Sequence, residues 1–179
     1  MIRLLRRMFG PKYVPPQDEV EALAVNDPVL LGDLPFTGEI ATDTASIAIF
    51  DLAALSHRID DECDWWADPK EELKELNDRN ALIVGLGADG LYKLEIALEQ
   101  PTEEAAYSLR APGGTIFVGP GEGITGEGNQ PDGSWDGGYL ISVPPGDYRA
   151  AVRWQENVVR VVLAPSPPFE NDASQGVRI

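Results

Sequence analysis

The alternation of apolar and polar positions along the chain predicts short strands far more often than helices. In Ser46-Ile47-Ala48-Ile49-Phe50-Asp51, large apolar residues alternate with small ones, the mark of a strand with one buried face. The same period of two runs through Tyr92, Leu94, Ile96 and Leu98, with Lys93 and Glu95 on the other side, and through residues 148–154. Apolar runs at 19–25, 107–110, 115–118, 139–143 and 157–163 add further strands. Residues 70–80 combine helix formers with charges at helical spacing and predict one short solvated helix. Asp51 is placed to cap a helical turn running toward Arg58.

Residues 81–96 carry two incompatible signals. Gly85-x-Gly87-x-x-Gly90 after an apolar run has the spacing of a loop that cradles a dinucleotide pyrophosphate. Such a loop needs a helix after it, because the phosphates sit at that helix's positive end. Residues 91–98 instead alternate as a strand, so the stretch reads as a β-hairpin turning at Ala88-Asp89-Gly90. Val84, Leu86, Tyr92, Leu94 and Ile96 become predicted core residues.

Fifteen prolines and eighteen glycines punctuate the chain and keep its elements short. The predicted fold is mainly β: a two-layer antiparallel β-sandwich of about seven to nine strands with one or two short helices. The expected organisation is a basic extension over residues 1–16, one sandwich domain over 17–163 and a proline-rich tail without pattern over 164–179.

Charge narrows the function. Fourteen bases against thirty acids give a net charge of −16. Arg3, Arg6, Arg7 and Lys12 lie in the first twelve residues, which hold no acid, so the remainder carries 30 acids against 10 bases, a net of −20. Such a body repels nucleic acid and steers toward cationic partners. No apolar stretch approaches the length that spans a bilayer, and the chain reads as cytoplasmic. His57 and Cys63 are each the sole residue of their kind, which leaves no ligand set for structural zinc and no disulfide. As a nucleophile–base pair they lack any group to orient the imidazole. A carboxylate pair such as Asp51 with Asp89 is the remaining enzymatic reading, and no cofactor is expected.

Two loops hold the candidate binding residues. The first is acidic and contains Asp60, Asp61, Asp64, Trp65 and Trp66; its carboxylates lack the Asp-x-Asp-x-Asp-Gly spacing that wraps a divalent ion. The second, residues 119–138, is glycine-rich and carries Glu122, Glu127, Trp135 and Asp136. Tryptophans beside carboxylates suit a protein interface, where aromatic side chains supply the anchors. Asp43-Thr44 leading into Ile49-Phe50-Asp51, His57-Arg58, Asp64-Trp65-Trp66, Gly87-x-Asp89-Gly90-x-Tyr92 and Pro145-Gly146-Asp147-Tyr148 together resemble a family of uncharacterised bacterial β-sandwich proteins over roughly residues 35–155. The resemblance implies a fold and a bacterial origin, and no activity. With the charge it leads to the expectation of a non-enzymatic acidic binding protein, an immunity protein that neutralises a cognate cationic toxin. The alternative is a sandwich that binds a small ligand or carbohydrate through Trp135 and the glycine-rich loop.

Overall fold

The computed structural model describes residues 29–30, 34–62, 64–100, 106–132, 137–155 and 158–179. Within them the chain forms β1 (Val29–Leu30), β2 (Phe36–Thr42) and β3 (Ser46–Asp51), then one α-helix, α1 (Pro69–Asn77). After α1 come eight more strands: β4 (Ala81–Gly85), β5 (Gly90–Leu98), β6 (Tyr107–Ala111), β7 (Thr115–Pro120), β8 (Tyr139–Ser142), β9 (Gly146–Gln155), β10 (Val158–Pro165) and β11 (Val177–Arg178). They build a six-stranded sheet in the order β1-β8-β7-β3-β4-β11 and a five-stranded sheet in the order β2-β5-β10-β9-β6.

The mainly β reading with one helix stands, and two details change. The described residues hold eleven strands against the expected seven to nine, because the sequence pattern does not mark β1, β2 and β11. The sheets are mixed: β1 on β8, β10 on β5 and β11 on β4 are parallel pairs. Parallel neighbours need long connections, which local turn signals do not reveal.

The two sheets share one core. Ile47, Ile49, Leu82, Val84, Ile116 and Val118 of the six-stranded sheet meet Ile40, Leu94, Ile96, Leu109, Val159 and Val161 of the other. The six-stranded sheet is also covered on its outer face. There Ala48, Phe50, Ala81, Ile83, Phe117 and Leu140 form a second cluster with Leu55, Trp65 and Ile124 from the loops. Burial on both faces explains why β3 has no polar side and why all six of its residues are buried.

The stretch read as a hairpin is a corner. β4 pairs with β3 and β11, whereas β5 pairs with β2 and β10, so the turn carries the chain from one sheet to the other. Leu86 is buried at the corner and its N–H donates to the Ala45 carbonyl at 2.7 Å. Gly87 comes next at φ 83°, a conformation that a side chain would strain. Val84, Leu86, Leu94 and Ile96 are core residues, as expected, with Tyr92 partly buried against them. The turns after β2, β6 and β8 likewise change sheet, while the consecutive strands β3 and β4, β7 and β8, and β9 and β10 pair antiparallel within a sheet.

Residues after Pro165, read as a patternless tail, are tied down. The Asn171 side chain accepts from Ser108 N at 2.7 Å and donates to the carbonyls of Ser108 and Leu76. Asn77 and Ala173 exchange two bonds, and β11 then joins β4. This strap closes the open side of the two sheets. The basic segment 1–16 and the strand expected at 19–25 lie outside the described residues.

Candidate binding surface

β3 ends at Asp51, whose buried carboxylate accepts from the backbone N–H groups of Ala53, Ala54, Gly113 and Thr115. That reverses the chain and lays residues 52–62 and 64–68 across the outer face of the six-stranded sheet. Short 3₁₀ turns at Ser56–Arg58 and Trp65–Ala67 keep the segment close to the sheet. Asp68 then caps α1 by accepting from Lys70 N at 2.9 Å, with Pro69 in the first helical turn.

The second loop is stitched to the first. Glu127 N–H donates to the Asp61 carbonyl at 2.8 Å and Gly128 N–H to the Ile59 carbonyl at 2.6 Å. Trp65 Nε1 donates to the Thr125 carbonyl at 2.8 Å, and Gln130 Nε2 to the Leu52 carbonyl. A tight turn in which Gly126 pairs with Asn129 presents Glu127, itself at φ 51°. The loops thus form one layer over the sheet.

Beneath this layer lies a buried ion cluster. The Glu75 side chain on α1 is 0% exposed. Arg58 donates to Glu75 Oε1 from Nε at 2.8 Å and from Nη2 at 2.6 Å, to Glu71 from Nη2 at 2.6 Å, and to Asp61 from Nη1 at 2.8 Å. Its guanidinium also lies 4.5 Å from the Trp65 ring centroid. His57 Nε2 stands 3.1 Å from Glu75 Oε1, and Asn80 donates to Oε2. Burial alone would push the Glu75 carboxyl up. Bonds from Asn80, His57 and Arg58, with the Arg58 charge, outweigh it and hold the carboxyl below its ordinary value. Burial acts against the Arg58 charge too, yet its bonds to Asp61, Glu71 and Glu75 keep the guanidinium more firmly protonated than usual.

These contacts sort the candidates. Asp60, Asp64 and Glu127 are exposed on the joined loops, and Glu62 stands among them. Among the described residues no cation pairs with any of these four side chains. Asp61 is committed to Arg58. Trp65 is a core residue, while Trp66 is half-buried at the edge of the same cluster, its buried Nε1 without a hydrogen-bond partner among the described residues. Glu122 belongs elsewhere: it accepts from Asp43 N, Thr42 Oγ1 and Thr44 Oγ1 and clamps the turn between β2 and β3. Trp135, Asp136 and Cys63 lie outside the described residues. His57 is taken up by Glu75. Asp51 and Asp89 are at opposite ends of β3 and β4, since Ser46 pairs with Gly85 and Phe50 with Ala81. That separation rules out Asp51 with Asp89 as a carboxylate pair.

The ion cluster itself went unrecognised from the sequence. Its one available signal was Arg58, the only Lys or Arg between Asp51 and Pro69 amid many acids.

A family model matches residues 35–179, which takes in both sheets, the loop layer and the strap. The chain belongs to DUF6386, a family of unknown function. The match runs beyond the resemblance over 35–155 and includes the strap. No curated protein matches this DUF6386 chain. It is similar to a solved structure titled "Crocagin biosynthetic gene J", with 13% identity, a TM-score of 0.47 and coverage of 74% of this chain and 96% of that one. It is also similar to ComJ, described as inhibitor of the DNA degrading activity of NucA, from Bacillus subtilis, with 8% identity, a TM-score of 0.40 and coverage of 72% and 92%. No helix among the described residues is long and apolar enough to cross a membrane.

Proposed function

We propose that this DUF6386 chain is a non-enzymatic binding protein that captures a cationic protein, in the manner of an immunity protein blocking a toxin. One observation carries the reading: Asp60, Glu62, Asp64 and Glu127 are gathered on two loops bonded to each other, anchored on a sheet, and left without cation partners among the described residues. A fixed array of unneutralised carboxylates loses little entropy on binding and attracts positive charge at long range. The net charge of −16 strengthens that attraction. Trp66, half-buried at the rim, offers an aromatic contact beside the acids.

The test is affinity capture with the wild-type chain and with an Asp60→Lys/Asp64→Lys variant as baits, followed by binding measurements on any basic protein retained. Capture by the wild type that the variant loses by about tenfold or more supports the reading. Equal retention by both baits sinks it.

A further inference from the structure

We propose that Arg58 is the positioning residue of this acidic surface: it fixes how the two loops and α1 sit against one another, without itself meeting the partner. The inference rests on the binding reading above and adds the residue that arranges the surface.

The geometry points to one guanidinium as the junction of three segments. Arg58 is 9% exposed and is therefore withdrawn from a partner's reach. Nη1 holds Asp61 in its own loop, while Nη2 holds Glu71 and shares Glu75 with Nε on α1. Its flat face covers Trp65, whose indole N–H reaches the second loop at Thr125. Asp61 and Ile59, which flank Asp60, pass the constraint on through the Glu127 and Gly128 amides. The three acids that Arg58 binds outnumber its single charge, so the cluster stays negative and adds to the field of the surface.

A planar five-donor fork fixes several acceptor directions at once; a lysine ammonium carries the same charge without that geometry. Arg58→Lys thus separates arrangement from charge. The long-range field is unchanged, so association should proceed at the same rate. The loops lose their common anchor, so dissociation should quicken. Glu71→Gln is the second variant. It weakens one of the two ties to α1, at a side chain 40% exposed, and leaves the other, the buried Arg58–Glu75 pair, in place.

Two measurements on the full chain decide it: amide hydrogen exchange, and binding of a nona-arginine peptide to immobilised protein at low salt. In both variants the Glu127 and Gly128 amides should exchange about tenfold faster or more, while β3 amides change less. For Arg58→Lys the peptide should leave about threefold faster or more at an unchanged association rate. Unchanged exchange at both amides in both variants overturns the proposal. So does equal acceleration at every amide, which would make Arg58 a residue of global stability alone. A wild-type chain that binds no peptide overturns the binding surface itself; peptide dissociation unchanged in both variants overturns only the role of Arg58.

Discussion

Burying the Glu75 carboxylate strips it of water on every side, and only the surrounding donors make that tolerable. Removing the chief donor leaves the buried charge with only Asn80, His57 and the Lys74 ammonium at 3.7 Å, so Arg58→Ala should lower stability by about 3 kcal/mol in urea denaturation. Combining Arg58→Met with Glu75→Leu should recover most of that loss, because an apolar pair of similar volume needs no ionic compensation. A double variant as unstable as Arg58→Ala would contradict this account. The pH dependence comes from the direction of the Glu75 shift. Its folded value lies below the unfolded one, so its stabilisation is complete above the ordinary carboxyl range near pH 4.3 and fades as pH falls through the folded value. The stability difference between wild type and Glu75→Gln should therefore hold down to about pH 5 and shrink from there to about pH 3. Little of this was legible in the sequence. On α1, Glu71, Glu72 and Glu75 look alike, and the spacing gives a solvated helix. Only Asn80, His57 and Arg58, placed by the rest of the fold, single out Glu75 to turn inward.

Strands were more readable than their partners. The period of two located β3, β5 and β9 and set which side chains face inward, since side-chain parity is a local property of extended backbone. Pairing is not local. The 81–96 stretch has the composition of a hairpin whether its strands share a sheet or divide between two. The apolar run of β4, buried on both faces, was the clue that it lies deeper than β5. The loop layer shows the same limit: the adjacent Trp65 and Trp66 point different ways, so at least one is expected in the core, and only the fold shows that it is Trp65, packed with Phe50 and Phe117. Trp65→Ala should cost about 3–5 kcal/mol by denaturant unfolding and loosen the loops from the sheet. Trp65→Phe, which keeps one ring but loses the bond to Thr125 and part of the indole's packing, should cost less, about 1–2 kcal/mol. Equal losses in the two variants would mean that the hydrogen bond, rather than the ring, holds the layer. On the strap, Asn171→Ala strands the Ser108 N–H and two carbonyls and should cost about 1–3 kcal/mol.

At the scale of the whole molecule, charge was the feature composition revealed most directly, though not where it gathers. A body at −16 repels itself, and screening relieves that repulsion more than it weakens the buried Arg58–Glu75 pair. The melting temperature should accordingly rise as salt increases from about 10 mM to about 150 mM, where the screening length drops from about 30 Å to about 8 Å. A fall over that range would mean that surface ion pairs outweigh the net repulsion.

The turns that hand the chain from sheet to sheet also order its assembly in time. β5 lies between β2 and β10, so its second neighbour arrives only with residues 158–165, and β4 receives its outer neighbour only with residues 177–178. Neither sheet can be completed from strands close in sequence, so the chain must close long loops before most of its pairings form. Folding is therefore expected to be slow for a protein of this size, on the order of milliseconds to seconds. A chain still being synthesised would hold half-built sheets until residues 177–178 emerge.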